Sequence, residues 1–499
     1  MIPDSPGPGT SRPVLHAVAA AIELVAQASA GRELLLVGVT GSPGAGKSTL
    51  AEELRAGVPG SVVLGLDGYH LPQTRLRELG RRERMGAPDT FDTAGFVEAL
   101  RRLRLAQPGD VLRFASFDRS IEEPVAGGIV LAIGQATVVV IEGNYLLLEQ
   151  GGWGEVAPLL DLTLHLRIDP AVRRSRLVAR HLRFGKPLDE ALAWSDGPDE
   201  RNAELIEAAS ERADAILDPR PERPLRLLHL SDTHLLGDPG DRYNRVIDTR
   251  AGLAALLEAH AAIEDLDAVV VSGDLSGDGS AESYSALRDA LAGWCADRDA
   301  ALVLALGNHD DRESFGTPVP WNTETVVRGV RILTLDSSVP GGASWGLLTE
   351  PTLAWLRERL HRDPLTPTVL VLHHPPIEAA TPLHRRMGLA NPHDLWEAVE
   401  GAPVLAVLSG HWHHAFVDTT TPAPVVVAPG AANRTDVLAG PAHERSVAAS
   451  GASIVEVLPR GVRVTSTEID APHRGTELFD VSAEVLAEWL DRLGFPGGR

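Results

Sequence analysis

Short apolar runs, each followed by a polar loop, recur along the whole chain. In the first half they span residues 33–40, 61–66 and 137–141. The second half has five, at residues 225–230, 268–271, 301–306, 368–372 and 404–408. Nearly continuous runs of Val, Leu and Ile of this length are typical of strands buried on both faces of a sheet. The pattern therefore predicts an α/β protein with buried, largely parallel strands.

A proline-rich stretch, Asp218-Pro-Arg-Pro-Glu-Arg-Pro224, separates the two groups of strands. Its three prolines and alternating charges neither continue a helix nor join a sheet. A chain of 499 residues is also too long for one hydrophobic core. We therefore predict a linker at 219–224 between a domain at 14–218 and a domain at 225–440.

The two ends of the chain are predicted separately. Residues 1–13 are rich in Pro and Gly, and we expect them to be disordered. Residues 441–499 are predicted to form an extension that packs on the second domain. Within it, the apolar spacing indicates a hairpin at 452–465 and a helix at 481–493.

Composition and charge limit the classes of partner. Hydrophobic residues make up 44% of the chain and charged residues 23%, as in an ordinary soluble globular protein. The net charge of -22 argues against a nucleic-acid polymer as partner, although a local basic pocket could still bind small phosphorylated substrates. Residues 14–30 have the pattern of an amphipathic helix and not of a signal peptide or membrane span, so we expect a cytoplasmic protein without a membrane partner.

The residues after the first apolar run form a phosphate-binding loop. Gly41-Ser-Pro-Gly-Ala-Gly-Lys-Ser-Thr49 follows the predicted strand and precedes a helical segment, as the G-x-x-x-x-G-K-[ST] motif requires. Its glycines let backbone N–H groups face phosphates at a helix N-terminus. The predicted ATP-binding residues are Gly41, Gly44, Gly46, Lys47, Ser48 and Thr49. Among them, Lys47 would reach the outer phosphates and Ser48 would hold Mg²⁺; the alternative is a chance glycine-rich turn.

Acidic residues follow the next two predicted strands of the first half. Asp67 lies at the end of the second run, where ligands bind in doubly wound sheets. A carboxylate there can accept the proton of an attacking hydroxyl. Glu142 ends the third run and would contact Mg²⁺ or its water shell. The alternatives are a turn-capping Asp67 and a solvent-facing Glu142.

Together these segments resemble the phosphoribulokinase/uridine kinase family, which includes pantothenate kinase and related nucleoside or sugar kinases. The matching segments lie at 41–49, 66–71, 85–92, 117–119, 123–124 and 141–147. The resemblance implies a doubly wound parallel P-loop sheet with flanking helices, ATP and Mg²⁺ as cofactors, and catalytic roles for Lys47 and Asp67. The substrate-side candidates are His70, Asp89, Asp92 and Arg119.

Residues 169–186 resemble the lid helix of that family. Arg176 and Arg180 are one helical turn apart, so they share a face and could neutralise charge on the transferred phosphate. A solvated basic face is the alternative for each of them. The acceptor could be a hydroxyl of a nucleoside, pantothenate, a sugar or a sugar phosphate.

Each of the five runs in the second half ends in a loop with Asp, Asn or His. These loops are Ser231-Asp-Thr-His234, Ser272-Gly-Asp274, Gly307-Asn-His-Asp310, His373-His-Pro-Pro376 and Ser409-Gly-His-Trp-His413. Because strand ends of one sheet lie side by side, we expect the side chains to converge. The single cysteine leaves oxygen and nitrogen ligands, which suit a pair of Mn²⁺, Fe or Zn²⁺ ions about 3.5–4 Å apart.

This order of loops resembles the calcineurin-like metallophosphoesterases and is most similar to bacterial class III cyclic-nucleotide phosphodiesterases. The closer match is carried by residues 307–311, 335–340 and 373–376. The resemblance implies an α/β sandwich of two sheets flanked by helices. It assigns one metal to Asp232, His234 and His413, and the second to Asn308, His373 and His411, with Asp274 bridging them. His309 would act on the phosphate.

The sequence thus predicts a bifunctional enzyme. One module would phosphorylate a hydroxyl of a small nucleoside-like or sugar-like molecule, and the other would hydrolyse a phosphodiester such as a cyclic nucleotide. Two alternatives stay open. The esterase module could act on phosphomonoesters or other phosphodiesters, and the P-loop module could be a regulatory ATP-binding unit without transfer activity.

Overall fold

The computed structural model describes residues 12–118, 121–134, 137–221, 223–316, 322–339, 342–440, 443–458 and 461–496. The chain divides into two compact units, Met1–Arg220 and Pro221–Arg499, and the division falls within the proline-rich stretch. The predicted disorder at 1–13 falls mostly on residues 1–11, which lie outside the described ranges. None of the helices in those ranges combines the length and apolarity that crossing a bilayer requires.

The first unit contains eight strands and seven α-helices among its described residues. In chain order they are β1 (Val14–Leu15), α1 (Val18–Ser29), β2 (Leu34–Thr40), α2 (Lys47–Gly57), β3 (Ser61–Gly65), α3 (Gln73–Glu78), α4 (Thr93–Arg104), β4 (Val111–Asp118), β5 (Glu123–Ala132), β6 (Thr137–Glu142), β7 (Leu162–Leu166), α5 (Pro170–Arg183), α6 (Leu188–Trp194), α7 (Glu200–Ala209) and β8 (Ala215–Leu217).

Six of these strands form one parallel sheet in the order β1-β8-β7-β2-β6-β3. The apolar runs predicted this, because β2 and β7 are buried along nearly their whole length. The carboxyl ends of β2, β3 and β6 therefore lie together at one edge of the sheet. Strands β4 and β5 form a separate antiparallel pair. The predicted parallel P-loop sheet is confirmed.

The second unit contains fourteen strands and seven α-helices in its described ranges. They are β9 (Leu225–Leu230), α8 (Thr249–Ala259), β10 (Ala268–Ser272), α9 (Ala281–Ala296), β11 (Ala301–Ala305), α10 (Arg312–Phe315), β12 (Thr323–Val327), β13 (Val330–Thr334), α11 (Glu350–Arg362), β14 (Thr368–Val371), α12 (Pro382–Arg385), α13 (Pro392–Ala398), β15 (Val404–Ser409), β16 (Phe416–Asp418), β17 (Val425–Val427), β18 (Asn433–Thr435), β19 (Glu444–Ala448), β20 (Ser450–Val457), β21 (Val462–Ile469), β22 (Glu477–Val481) and α14 (Ala483–Arg492).

Two large sheets face each other in this unit. One has the order β11-β10-β9-β20-β21 and the other the order β12-β13-β14-β15-β17-β16. A buried cluster between them joins Leu227 and Val270 of the first sheet to Val369 and Leu408 of the second. Further clusters cover the outer faces with α8 and α9 on one side and α11 and α13 on the other. The unit is therefore the predicted sandwich of two sheets flanked by helices.

The five strands that carry the predicted metal ligands do not belong to one sheet. Strands β9, β10 and β11 lie in the first sheet, whereas β14 and β15 lie in the second. The expectation of a single sheet is wrong, because buried strands of both sheets have the same apolar pattern. The ligands meet where the carboxyl ends of two facing sheets come together.

The C-terminal strands extend two sheets of the unit. Strand β20 pairs antiparallel with β9 and with β21, so the hairpin predicted at 452–465 completes the first large sheet. Strand β19 lies between β18 and β22 in a third, three-stranded sheet. The end of the chain is thus built into the unit that carries the metal-ligand loops.

Glu444 on β19 makes the stability of the protein depend on pH. Its side chain is only 2% exposed, and burial raises its pKa to about 7 against the smaller, lowering effect of the Thr381 hydroxyl. An unfolded Glu titrates near about pH 4.3. Between these pH values the folded protein keeps a proton that the unfolded chain has lost, so stability falls as the pH rises.

Glu444→Gln is expected to remove this loss. The free energy of unfolding at pH 8 should rise by about 3.5 kcal/mol, with little change at pH 4, where the wild-type carboxyl is neutral in the folded protein and mostly neutral in the unfolded chain. Urea unfolding across this pH range measures the effect. Glu477→Gln, an exposed change on the neighbouring strand β22, is the control. Equal pH slopes in wild type and Glu444→Gln would contradict the assignment.

Candidate active sites

Six of the seven predicted metal ligands come together in the second unit. Three overlapping groups have ligand atoms within 4.8 Å of one another: Asp232, His234 and His413; Asp232, Asp274 and His373; and His373, His374 and His411. The first group is the trio predicted for one metal. The other two contain His373 and His411, which were predicted for the second metal, and Asp274, the predicted bridge. Asn308 follows β11 in the loop whose His309 N–H donates to Asp274.

The distances within the cluster suit bound cations. His413 Nε2 lies 3.2 Å from Asp232 Oδ1, and Asp274 lies 3.4 Å from His373 Nε2 and 3.7 Å from His234 Nε2. Within the described ranges, both ring nitrogens of His234, Nε2 of His411 and Oδ1 of Asn308 are buried without a hydrogen-bond partner. Such atoms cost free energy unless a partner is supplied. The donor set therefore fits two divalent ions.

Backbone conformation also marks these loops. Five of the seven predicted ligands have positive φ: Asp232 (56°), His234 (43°), Asp274 (50°), His411 (70°) and His413 (52°). This conformation is uncommon outside glycine and costs roughly 1–3 kcal/mol per residue. Such strain is typical of loops whose side chains must converge on a functional site.

Backbone carbonyls orient two of the imidazole rings. His373 Nδ1 lies 2.8 Å from the Ser272 carbonyl oxygen, and His413 Nδ1 lies 3.3 Å from that of Asn433. A carbonyl oxygen accepts only from a protonated nitrogen, so Nε2 is the nitrogen that each ring turns toward the other predicted ligands: His413 Nε2 lies 3.2 Å from Asp232 Oδ1, and His373 Nε2 lies 3.1 Å from His411 Nδ1. Asn433 belongs to the three-stranded sheet, which therefore supports a predicted ligand directly.

The electrostatics of the cluster favour cations. Burial holds the pKa of His234 and of His411 well below the ordinary value, so both rings are neutral, as metal ligands are. Burial also opposes charge on His373, but Asp274 and Asp232 outweigh it and raise its pKa to about 9. Positive charge is thus stabilised at the centre of the site.

His309 and His374 occupy different positions beside the cluster. His309 is 48% exposed and its Nε2 lies 4.0 Å from Asp274, so its side chain lies at the open side of the site. His374 is fully buried, and its Nδ1 lies 2.8 Å from the Ser337 hydroxyl. Its ring is 4.5 Å from that of His411. His374 therefore supports a predicted ligand from within the protein.

Two contributors to this site were not singled out from the sequence. Asp310 accepts hydrogen bonds from the backbone N–H groups of Leu275, Ser276 and Gly307, which ties two ligand loops together. Asp310 lies two residues after Asn308 in the loop Gly307-Asn-His-Asp310, so its position in the sequence could have identified it. Tyr243 stacks on His234 at 4.4 Å and lies in an irregular loop, where no sequence pattern points to it.

The phosphate loop of the first unit has the predicted geometry. It lies between β2 and α2, and Gly41, Gly44 and Gly46 all have positive φ. A Cβ on Gly44 would lie 2.8 Å from the Arg173 carbonyl oxygen, so only glycine fits there. Lys47 is buried and donates to the Ser42 carbonyl oxygen at 3.2 Å. Its ammonium group is thus held within the loop that would surround the phosphates, and Thr49 follows in the first turn of α2.

The acidic residues and Ser48 are close neighbours at this sheet edge. The Ser48 hydroxyl donates to Glu142 Oε2 at 3.2 Å, which places both predicted Mg²⁺ contacts side by side. Strands β3 and β6 pair so that Gly65 lies opposite Glu142. Asp67 is two residues beyond Gly65 and 39% exposed. The arrangement can hold a cation next to the phosphates, with Asp67 open to an incoming hydroxyl.

The helix α5 brings Arg176 to the phosphate loop. Arg176 Nη1 donates to the Ala45 carbonyl oxygen at 3.2 Å, and burial lowers its pKa to about 10, so it remains charged at neutral pH. Arg180 follows one turn later on the same helix. Arg176 thus adds positive charge beside the loop, and contact of Arg176 or Arg180 with a transferred phosphate stays a prediction.

The substrate-side candidates have clear structural contacts. His70 is only 9% exposed and stacks on Phe91 at 4.0 Å. Asp89 pairs with Arg84 and Arg81, and these arginines keep its pKa below the ordinary value. Asp92 accepts from the Gly95 N–H and caps α4. Arg119 lies outside the described residues. Contact of any of the four with substrate stays a prediction.

Comparison with known proteins agrees with both units. Residues 225–415 match the family described as calcineurin-like phosphoesterase. The chain is 32% identical over 288 residues to a probable cyclic nucleotide phosphodiesterase of Rhodococcus erythropolis, which covers 54% of this chain and 94% of that protein. It is 34% identical over 253 residues to a cAMP/cGMP dual specificity phosphodiesterase of Mycobacterium tuberculosis, covering 48% of this chain and 78% of that protein.

The first unit has relatives of a different class. The chain is 30% identical over 198 residues to a candidate uridine kinase of Schizosaccharomyces pombe, which covers 37% of this chain and 83% of that protein. The chain therefore belongs to the calcineurin-like phosphoesterases through its second unit and to the uridine-kinase-like P-loop kinases through its first. Both are enzyme families, so one chain joins a phosphodiesterase-like hydrolase to a kinase-like module, and both predicted resemblances are confirmed.

Proposed function

We propose that the protein is a bifunctional enzyme of phosphate chemistry. Its second unit would hydrolyse a cyclic nucleotide, and its first would transfer phosphate from ATP to a hydroxyl of a nucleoside-like or sugar-like molecule. The observation that carries the proposal for the second unit is the convergence of six predicted oxygen and nitrogen ligands, most of them buried, from two facing sheets. Two relatives named as cyclic nucleotide phosphodiesterases support the choice of substrate class.

The residues of the second unit divide the work between them. Asp232, His234 and His413 would hold one ion, and Asn308, His373 and His411 the other, with Asp274 shared. Two divalent ions supply Lewis-acid charge to a phosphate and make water a stronger nucleophile at neutral pH. The exposed ring of His309 stands at the open side, where its Nε2 can donate a proton to the leaving oxygen.

The first unit would bind Mg·ATP on residues 41–49. Lys47 and Arg176 would neutralise phosphate charge, with Arg180 joining them from the same helix, while Ser48 and Glu142 hold Mg²⁺. Asp67 would accept the proton of the acceptor hydroxyl as that oxygen attacks. Two observations support this division of roles. The Ser48 hydroxyl donates to Glu142, and Glu142 lies opposite Gly65 on the neighbouring strand, two residues before Asp67.

Hydrolysis by the full chain tests the first activity. With Mn²⁺ present, we expect opening of 3′,5′-cyclic AMP to exceed hydrolysis of p-nitrophenyl phosphate, and chelation to abolish both. A parallel assay of 2′,3′-cyclic AMP shows which of the two cyclic phosphodiesters the enzyme prefers. Hydrolysis of the phosphomonoester alone would replace the cyclic-nucleotide assignment by a phosphatase.

Asp67→Asn tests the second activity. Among nucleosides and sugars screened for ADP release, transfer to any acceptor found should fall by roughly a hundredfold or more, because the general base is lost. Mg·ATP should bind as before, because Asp67 lies outside residues 41–49. Asp110→Asn, an exposed change in a turn of the same unit, is the control. If no acceptor is phosphorylated while ATP alters esterase kinetics, the first unit is regulatory.

A further inference from the structure

Helix α7 contacts three segments of the first unit that the proposed kinase activity would use. Its buried face consists of Asn202, Ala203, Ile206 and Ala209, and Ile206 joins the main core of the unit. Polar side chains project from the same helix toward the phosphate loop, the 85–92 segment and α5. These residues lie outside the sequence motifs and the family-like segments of the first unit.

Glu207 holds the phosphate loop. The Ser42 hydroxyl donates to Glu207 Oε1 at 2.7 Å, and His165 Nε2 lies 3.2 Å from Glu207 Oε2. Ser42 and His165 are buried. The Ser42 carbonyl oxygen also accepts a hydrogen bond from Lys47 Nζ. Ser42 therefore contacts both Glu207 and the lysine that is predicted to bind the phosphates.

Asn202 holds the segment that carries Asp89 and Asp92. Its Nδ2 donates to the Gly86 carbonyl oxygen at 3.3 Å, and the Tyr145 hydroxyl donates to the same oxygen at 2.5 Å. Tyr145 follows β6 in the 141–147 segment next to Glu142. The Gly86 carbonyl is thus tied both to α7 and to the segment that bears the predicted Mg²⁺ contact.

The N-terminal end of α7 is tied to α5. Glu200 pairs with Arg173, and two more pairs join α5 to the turn before α7: Arg174 with Asp196, and His181 with Asp199 at 2.8 Å. Arg173 also lies against the phosphate loop, because its carbonyl oxygen is the nearest atom, at 2.8 Å, to the position that a Cβ on Gly44 would take. One helix therefore contacts the elements that carry the nucleotide-side and the acceptor-side residues.

We propose that α7 is the positioning element of the first unit. Glu207 fixes the phosphate loop through Ser42, and Asn202 fixes residues 85–92 through the Gly86 carbonyl. The rigid helix between them sets the distance between the nucleotide and its acceptor, a distance on which transfer rates depend strongly. The proposal extends the proposed kinase function, since it concerns how the same site is assembled.

Hydrogen–deuterium exchange of the full chain tests each contact separately. Glu207→Ala should speed exchange of the peptide 41–49 by about fivefold, the factor expected for one lost hydrogen bond, and leave 85–92 unchanged. Glu207→Gln, which keeps an acceptor for Ser42, should restore the wild-type rate. Asn202→Ala and Tyr145→Phe should speed exchange of 85–92 and leave 41–49 unchanged.

Glu204→Ala is the matched control, because Glu204 is exposed on the same helix and loses the same charge. Unchanged exchange in all variants, or equal loosening of both loops by Glu207→Ala and by Asn202→Ala, would overturn the proposal. Titration of wild type with Mg·ADP separates this result from the proposed function. Absence of binding would refute the nucleotide role, while the exchange pattern would still decide whether α7 positions the loops.

Discussion

Asp274→Asn is expected to lower phosphodiester hydrolysis by on the order of a thousandfold. The Asp274 carboxylate lies 3.4 Å from His373 and 3.7 Å from His234, so it faces both groups of predicted ligands. It also accepts the His309 N–H at 2.9 Å, which positions the loop after β11. Asparagine preserves the shape but offers a single neutral oxygen, so it cannot bridge two cations or balance their charge.

Metal content measures this effect without reference to activity. After dialysis against Mn²⁺, wild type should retain about two ions per chain and Asp274→Asn about one or fewer. The initial rate with 3′,5′-cyclic AMP gives the second readout. Asp470→Asn makes the same chemical change at a side chain that is 92% exposed and should match wild type in both measurements. Full metal content in Asp274→Asn would remove Asp274 from its bridging role.

Lys47→Met should weaken Mg·ATP binding by about a hundredfold and reduce phosphoryl transfer further, because a charge-assisted contact to the phosphates is lost. Lys47 is buried at the start of α2 and donates to Ser42 within the loop. Methionine retains most of the volume and lacks the charge. Arginine is not an adequate substitute, because its planar group is wider than an ammonium.

The chain itself offers the control for this change. Its other lysine is Lys186, whose ammonium lies 4.1 Å from the centre of the Trp194 ring. Lys186→Met should bind Mg·ATP as wild type does. Competition with a fluorescent ATP analogue measures both affinities, and thermal unfolding checks that both variants fold. Comparable affinities in the two variants would show that residues 41–49 do not form the nucleotide site.

The two sites differ in how far local sequence specifies them. The phosphate loop is specified by nine consecutive residues, because its shape depends on glycines at positive φ and on the helix that follows. The order of Asp, Asn and His loops in the second half likewise predicted which side chains converge. It did not predict that β14 and β15 belong to a different sheet from β9, because buried strands look alike in sequence.

Supporting residues show why the rest could not be predicted. Glu207 contacts Ser42 across 165 residues, and Asn433 supports His413 from a strand of the C-terminal region. Neither residue lies in a repeating pattern or a motif. His70 stacks on Phe91 at 4.0 Å, a contact between residues 21 positions apart that no local pattern specifies.

The sequence alone determined the buried strands, the division near residue 220 and the identities of the phosphate-loop and metal-ligand candidates. These depend on local patterns: apolar runs, turn-forming residues, and polar residues at strand ends. Only the tertiary structure decided that two sheets share the metal ligands, that β18, β19 and β22 form a third sheet, and that α7 contacts the loops of the first unit. Those features depend on which distant segments pack together. The free energy of the whole fold determines that packing, and no local stretch of sequence does.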